Sequence, residues 1–285
     1  MLVAPQLLAA QQPPRPVQNG ALPVVSPDGK RIAFISNIEG TPDIYVINAD
    51  GSGRARVTNT PVAEGAPSWS ANGKDILFSI GRDTARLYAI APSGTGQREL
   101  TTYVGNGASI SPDGKSIAYT SGKFPSATST ISALDGSNAR QLTSTPAFNF
   151  AWSPNGRQLA YTLLTADRKV EIWLANADGT SPRRLMENDP NEGGPQWPAW
   201  SPDGKRLAVQ VGKYGQNPAE NTAHIWLIDV SSGAKMKLAA HDKPYLDETP
   251  SWLGNSRIAF QSNRTGRMEV WSMNADGTDV KPITK

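Results

Sequence analysis

The sequence predicts an all-β protein, a six-bladed β-propeller whose blades are four-stranded antiparallel sheets. Two landmarks count the same six units independently. Strand-like runs that follow a Ser-Pro-Asp-Gly-type turn have their first apolar residues at Ile32, Ile76, Ile117, Leu159, Leu207 and Ile258. A second turn, of the Asn-Ala-Asp-Gly type, has its glycine at Gly51, Gly94, Gly136, Gly179, Gly233 and Gly277. A repeat of about 42 residues with four short strands per unit is typical of radial propellers.

The composition agrees with a protein rich in turns. The chain has 285 residues, 38% of them hydrophobic, and its 26 glycines and 23 prolines are spread evenly. The net charge is +3, but lysines and arginines are dispersed, so the sequence indicates no nucleic-acid surface. The absence of cysteine excludes disulfides, thiol catalysis and cysteine metal sites. No apolar run approaches the roughly 18 residues of a membrane span.

Residues 1–20 differ from the rest of the chain. Leu2–Ala10 is short and apolar and resembles the tail of a secretory signal, although no basic residue precedes it. Gln11–Pro16 is typical of an extended linker. A signal remnant, a linker and an edge segment remain open as interpretations, and residues 21–285 are predicted to form the propeller. We expect an exported protein, periplasmic or secreted.

The second unit shows the order of elements within a blade. Its four strand-like runs are APSWS, DILFSI, RLYAI and REL. The second run is apolar on both faces, as a strand between two packed sheets requires. Ala21–Ser26 is expected to supply the inner strand of blade one, so that packing between blades one and six closes the ring. Four tryptophans share one inner-strand position and are predicted to be structural: Trp69, Trp152, Trp200 and Trp252.

The pentapeptide Ser-Pro-Asp-Gly-Lys, which occurs at 26–30, 111–115 and 201–205, is interpreted as a turn and not as a site. Proline presets φ at the second position, serine and aspartate suit the flanking positions, and glycine accepts a positive φ. In an up-and-down blade, this turn and the Asn-Ala-Asp-Gly turn lie on one side of the ring, which we call the uniform face. The second-to-third-strand loops and the blade links then form the variable face. Its two longest segments, residues 187–200 and 211–224, flank blade five, and we expect function there.

The repeat resembles that of the TolB-type propeller family. The pattern W-S-P-D-G-K-R-I-A-F … I-Y-V-x-N-A-D-G … R-x-L-T covers essentially all of residues 21–285. The segment Leu246–Ser251 also resembles the stretch that leads into the last blade of that family. The resemblance implies a periplasmic component of the Tol–Pal envelope system whose propeller binds the peptidoglycan-associated lipoprotein. It therefore implies a protein or peptide partner, and we expect a monomer.

Candidate partner-binding residues come from the variable face. Trp197 lies in the extended link 192–198, and either an interface hot spot or local packing explains it. The pair Asp247-Glu248 is open to three interpretations: a cation site, a turn cap or a partner contact. The full predicted set is Glu64, Asn106, Phe148, Asn149, Glu192, Gln196, Trp197, Tyr214, Tyr245, Asp247, Glu248 and Thr249.

The sequence predicts no catalytic residue, no metal site and no cofactor. The two histidines, His224 and His241, stand in neither an HxH nor an HExxH pattern, and no GxSxG or GxxxxGK[ST] motif occurs. A non-catalytic scaffold that binds a protein or peptide is therefore the first functional hypothesis. The second is a carbohydrate-active or metal-dependent lyase or hydrolase at the channel mouth, with Asp247, Glu248 and His224 as its polar groups.

Overall fold

A computed structural model describes residues 18–62, 64–81, 85–103, 106–122, 126–238, 243 and 245–284. It contains six separate four-stranded sheets, and each sheet is antiparallel and uses four consecutive strands. The predicted six-bladed propeller is therefore confirmed. No helix in the described ranges is long and apolar enough to cross a membrane.

The strands are numbered in chain order, four to a blade. Blades one to three contain β1 Ala21–Val25, β2 Arg31–Ser36, β3 Asp43–Asn48, β4 Ala55–Arg56, β5 Ser68–Trp69, β6 Ile76–Ile80, β7 Ala85–Ile90, β8 Arg98–Tyr103, β9 Asn106–Ile110, β10 Ser116–Ser121, β11 Thr128–Ala133 and β12 Arg140–Thr143. Blades four to six contain β13 Ala147–Trp152, β14 Gln158–Leu164, β15 Val170–Asn176, β16 Arg183–Met186, β17 Gly194–Trp200, β18 Arg206–Lys213, β19 Thr222–Asp229, β20 Lys235–Lys237, β21 Asp247–Leu253, β22 Arg257–Ser262, β23 Glu269–Asn274 and β24 Lys281–Pro282. A short 3-10 helix, Pro218–Glu220, lies in the loop between β18 and β19.

The core lies between blades, as the doubly apolar second strands predict. Leu207 and Val209 of blade five, for example, are fully buried in one cluster with Ala160 and Ile172 of blade four. Each face of a blade therefore buries apolar surface against a neighbour, and this burial is the main stabilising term.

The repeated tryptophans join neighbouring blades. In each case the indole Nε1 donates to a backbone carbonyl of the preceding blade's inner strand: Trp69 to Val24 at 3.0 Å, Trp152 to Ser109 at 3.1 Å, Trp200 to Ala151 at 3.0 Å and Trp252 to Ala199 at 3.0 Å. The structural role predicted for these four side chains is confirmed. The bonds also place the first strand of each of these four blades beside the first strand of the blade before it.

The ring closes between blades six and one without a tryptophan. The strand β1 pairs with β2 in its own blade and packs against β21 and β22 of blade six. The Val25 amide donates to Ser251 Oγ at 3.0 Å, and Gln18 forms a parallel bridge with Met268. The predicted closure by contiguous blades is confirmed. The interpretations offered for residues 1–17 lie outside the described residues.

The Ser-Pro-Asp-Gly segments are turns, as predicted. In blade five the Gly204 amide donates to Ser201 O at 2.8 Å, and Gly204 has φ +69°. The Ser201 hydroxyl donates to Asp203 Oδ1 at 2.6 Å, and this bond is the main reason that the pKa of Asp203 lies below its ordinary value. Aspartate here shapes the backbone, and the same bond recurs from Ser26 to Asp28 and from Ser111 to Asp113.

A second backbone repeat lies at the opposite end of the inner strands. Five inner strands contain one residue with a left-handed φ, three positions before the tryptophan position: Leu22, Gly107, Asn149, Trp197 and Thr249. Each coincides with a register shift between the first and second strands of its blade. These are β-bulges, and they re-aim side chains at the variable-face end of the channel.

Candidate functional site

Glu248 is the centre of a hydrogen-bond network on the variable face. It is the second residue of β21, at the end of the inner strand opposite the Ser-Pro-Asp-Gly turn. The Tyr214 hydroxyl donates to Glu248 Oε1, and Gln261 Nε2 donates to Glu248 Oε2 at 2.7 Å. Because Tyr214 belongs to blade five and Glu248 to blade six, the network joins the two blades.

Tyr214 lies just beyond β18, with its ring folded back over Gly212. A Cβ on Gly212 would stand 2.5 Å from Tyr214 Cε2, so only glycine permits this approach. The residue remains 44% exposed. Burial of the hydroxyl, followed by the Glu248 charge and its hydrogen bond, raises the pKa of Tyr214 above its usual range. The hydroxyl is therefore a neutral donor at physiological pH.

Two glutamines connect this network to the bulged backbone. Gln210 Nε2 donates to the Tyr214 hydroxyl at 3.0 Å, and Gln210 Oε1 accepts from the Thr249 amide at 2.9 Å. Gln261 Oε1 accepts from the Leu22 amide at 2.8 Å. The network therefore runs from blade five through blade six to blade one, and each glutamine satisfies the amide of a bulge residue in the next blade.

Neither glutamine is among the residues predicted from the sequence. They occupy the same position of the second strand, five residues into RLAVQ and RIAFQ, where blade one has Ile35. A glutamine inside an otherwise apolar second strand could have indicated the network, because a buried side-chain amide requires hydrogen-bond partners.

Asp247 has different surroundings from its neighbour Glu248. Its carboxylate is 1% exposed, accepts from Ser262 Oγ at 2.7 Å and pairs with Arg264 Nη2 at 2.5 Å. The Arg264 guanidinium lies over the Tyr245 ring, 5.1 Å from its centroid. Asp247 and Tyr245 therefore sit around one arginine inside blade six, whereas Glu248 faces blade five.

Trp197 lies inside the strand β17 and not in the predicted link. The prediction misplaced it because β17 begins at Gly194, before the apolar pattern of the other inner strands. Its backbone has counterparts at four other bulges, although no other blade places an aromatic side chain there. Gln196 stands opposite Gln210 in the β17–β18 pair, so it lies beside a member of the network. Phe148 and Asn149 hold the corresponding positions in blade four.

Glu192 and Glu64 have their described hydrogen-bond partners outside the network. Glu192 accepts from Lys237 Nζ at 2.7 Å at the outer side of blade five. Glu64, in the link between blades one and two, accepts from Thr60 Oγ1 at 2.7 Å, and burial raises its pKa. Asn106 begins β9, and its side chain is outside the described part of the structure, as is His241. His224 is buried in β19, opposite Val211.

Exposed large apolar side chains favour the variable face. Three of the four in the described residues lie there: Ile38 in the β2–β3 loop, Val62 in the link after blade one, and Tyr214. The fourth, Met236, lies on the outer strand β20. The described residues contain no group of three or more histidine or acidic side chains that could hold a metal ion.

The chain matches the family model of the TolB beta propeller domain over residues 14–197 and 151–285, and it belongs to that family. It is 26% identical over 237 residues to an uncharacterized protein of Agrobacterium fabrum, covering 80% of this chain and 60% of the relative. It is 31% identical over 104 residues to a TolB homolog of Chlorobium luteolum, covering 36% and 24% of the two chains. The chain thus spans less than two thirds of the length of either relative.

A solved structure of TolB from Acinetobacter baumannii has the same fold. It superposes with a TM-score of 0.69 at 20% sequence identity, covering 87% of this chain and 62% of that one. At that identity the likeness concerns the architecture alone.

Proposed function

We propose that this propeller is a non-catalytic scaffold that binds a protein or peptide segment on its variable face, where blades five and six meet, in the bacterial periplasm or cell envelope. Membership of the TolB beta propeller domain family supports a scaffold, and the resemblance to TolB supports the compartment. By the same resemblance, a lipoprotein of the peptidoglycan-associated type is the first partner to test.

The observation that carries the proposal is the fixed, exposed ring of Tyr214. Its hydroxyl is hydrogen-bonded by Gln210 and Glu248, and its ring rests on Gly212, so little side-chain entropy remains to be lost on binding. Tyrosine anchors with one apolar side and one satisfied polar end are typical of interface hot spots. Ile38 and Val62 are also exposed on the variable face, in blade one and in the link that follows it.

Glu248 supplies the polar half of the surface. Each carboxylate oxygen accepts one hydrogen bond within the protein and has a second lone pair, so the group can receive a donor from the partner and keep its present bonds. The partner segment that fits combines an apolar side chain with a lysine, arginine or amide donor. Gln196, opposite Gln210 in the β17–β18 pair, and its neighbour Trp197 are predicted residues of blade five that can enlarge the contact.

The test measures binding of the soluble domain of the peptidoglycan-associated lipoprotein from the same genome by biolayer interferometry. Tyr214→Ala is expected to weaken binding tenfold or more, which corresponds to about 1.4 kcal/mol. Met236→Ala is the matched control, because Met236 is 48% exposed in the same blade but lies on the outer strand. Glu248→Gln is expected to weaken binding while preserving the fold.

Unchanged binding by both Tyr214→Ala and Glu248→Gln contradicts the proposed surface. Metal analysis and a polysaccharide turnover screen on the same wild-type preparation address the enzymatic alternative. Turnover that survives Met236→Ala and disappears with Glu248→Gln identifies a channel-mouth enzyme in place of a scaffold.

A further inference from the structure

The six first-to-second-strand turns form a rosette around the channel on the uniform face. A Cβ on Gly73 would lie 3.7 Å from Pro27 Cδ of the adjacent turn, and one on Gly204 would lie 4.0 Å from Pro154 Cδ. The turns of blades five and six share a hydrogen bond, from the Asp203 amide to Asn255 Oδ1 at 3.1 Å. Turns of neighbouring blades therefore lie close together at these junctions, and the residues that follow their glycines surround one opening.

This rosette concentrates positive charge. The residue after the turn glycine is cationic in five of the six blades and exposed in each of them: Lys30, Lys74, Lys115, Arg157 and Lys205. Within the described part of the chain, none of the five pairs with a carboxylate. Arg31 and Arg206 follow two of them and lie over Trp69 and Trp252. The whole chain has a net charge of only +3, so this clustering is not a consequence of composition.

Three carboxylates are interleaved with these cations, and each has one oxygen occupied. Oδ1 of Asp28, Asp113 and Asp203 accepts from the turn serine and from a backbone amide, as in the pair of bonds to Asp203 at 2.6 and 3.1 Å. Among the described residues, the second oxygen of Asp203 accepts no hydrogen bond and is left for a donor from outside. Blades two and four have the uncharged asparagines Asn72 and Asn155 at this position. Asp75 follows Lys74, but its carboxylate pairs with Arg98 Nη2 at 2.7 Å.

The outer turns of the same face carry the opposite charge. Five of the six third-to-fourth-strand turns have an aspartate that accepts a backbone amide within its turn: Asp50, Asp135, Asp178, Asp229 and Asp276. Arginines of the fourth strands, such as Arg140, stand near some of them. A wide anionic surface such as a membrane would lie over the outer aspartates as well, and their negative charges would repel it. A narrow anionic ligand contacts only the inner ring of cations and avoids this repulsion.

We propose that the rosette binds an acidic peptide segment at the channel opening of the uniform face. Flexible lysine side chains can converge on the carboxylates of one extended chain. The backbone N–H groups of a peptide can meanwhile donate to the free oxygens of Asp28, Asp113 and Asp203. A polyphosphate has no such donors, and the interleaved aspartates oppose it. This site is on the other side of the ring from Tyr214 and is independent of the function proposed above.

The test uses the full chain and a fluorescein-labelled hexapeptide, Gly-Glu-Glu-Glu-Glu-Gly, in fluorescence anisotropy at low ionic strength, where screening is weak. Its glutamine counterpart is expected not to bind. The double variant Lys74→Gln/Arg157→Gln is expected to weaken binding about tenfold. The matched control is Arg168→Gln/Lys213→Gln, which removes one arginine and one lysine, both exposed, from the variable face and is expected to change binding less than twofold.

Equal losses in the two double variants, or no binding of the glutamate peptide, overturn the proposal. The proposal is also overturned if polyphosphate of equal charge binds more tightly than the peptide. It is overturned likewise if phosphatidylglycerol vesicles retain the protein through Lys74 and Arg157. Either result favours another anionic ligand. Thermal melting of every variant checks that the fold persists, as expected for exposed positions.

Discussion

Replacing Arg264 with methionine tests whether Asp247 is a structural carboxylate. Asp247 is 1% exposed, and Arg264 is 16% exposed and pairs with it at 2.5 Å. Methionine retains an unbranched apolar side chain but removes the charge that offsets the buried carboxylate. The variant therefore isolates the ion pair from most of the surrounding packing.

The expected loss follows from the burial of this pair. Removing one partner of a buried ion pair costs about 3–5 kcal/mol, because the other charge is left uncompensated. Loss of the cation over the Tyr245 ring adds about 0.5–1 kcal/mol. The Ser262 hydroxyl still donates to Asp247 at 2.7 Å, which offsets part of the loss. We therefore expect Arg264→Met to lower the free energy of unfolding by about 3 kcal/mol.

Urea unfolding followed by tryptophan fluorescence measures this free energy. The double variant Asp247→Asn/Arg264→Met is expected to recover more than half of the loss, because asparagine keeps a Ser262 acceptor without a buried charge. Lys169→Met is the control: Lys169 and Asp167 are each 60% exposed, so losing their 2.8 Å pair is expected to cost less than about 0.5 kcal/mol. A loss below about 1 kcal/mol for Arg264→Met, or no recovery in the double variant, would refute a structural role.

Two further predictions concern the scaffold. Gly204→Ala places a Cβ at φ +69° and is expected to lower the free energy of unfolding by about 1 kcal/mol or more, measured by urea unfolding, and an unchanged midpoint argues against turn strain. Burial raises the pKa of Tyr161 to about 12, against about 10 in the unfolded chain, so its hydroxyl contributes stability below pH 10 that is lost as the pH rises through 12. The stability of wild type relative to Tyr161→Phe is therefore expected to fall by about 1 kcal/mol between pH 9 and 11, and a constant difference contradicts this linkage.

The sequence was sufficient for the architecture because the same local chemistry recurs in every blade. Gly29 and Gly204 both have φ near +70°, and the doubly apolar second strands place residues such as Ile32 and Leu207 between blades. Turn type and strand burial depend mainly on neighbours in the sequence. The repeated turn and strand patterns were therefore enough to predict both.

The site was harder to predict from the sequence, because its hydrogen bonds join residues of different blades. Tyr214 and Glu248 are 34 residues apart, and neither stands in a motif that indicates the other. The bulge at Trp197 is a backbone feature that occurs with leucine, glycine, asparagine and threonine in other blades, so residue type did not indicate it. The variable face was deducible from loop topology, whereas the partners of each side chain required the three-dimensional structure.

The Glu248 network also bears on how the ring holds together. The junction of blades six and one lacks the indole bond seen at four other junctions, since Val25 stands at the tryptophan position. Gln261 instead connects the Leu22 amide of blade one to Glu248 of blade six. A ligand that engages Glu248 therefore contacts the same hydrogen-bond chain that closes the propeller. Any ordering of these hydrogen bonds on binding stabilises the closed ring, because each blade uses four consecutive strands. Within the described residues, the junction is spanned by packing, hydrogen bonds and the Gln18–Met268 bridge.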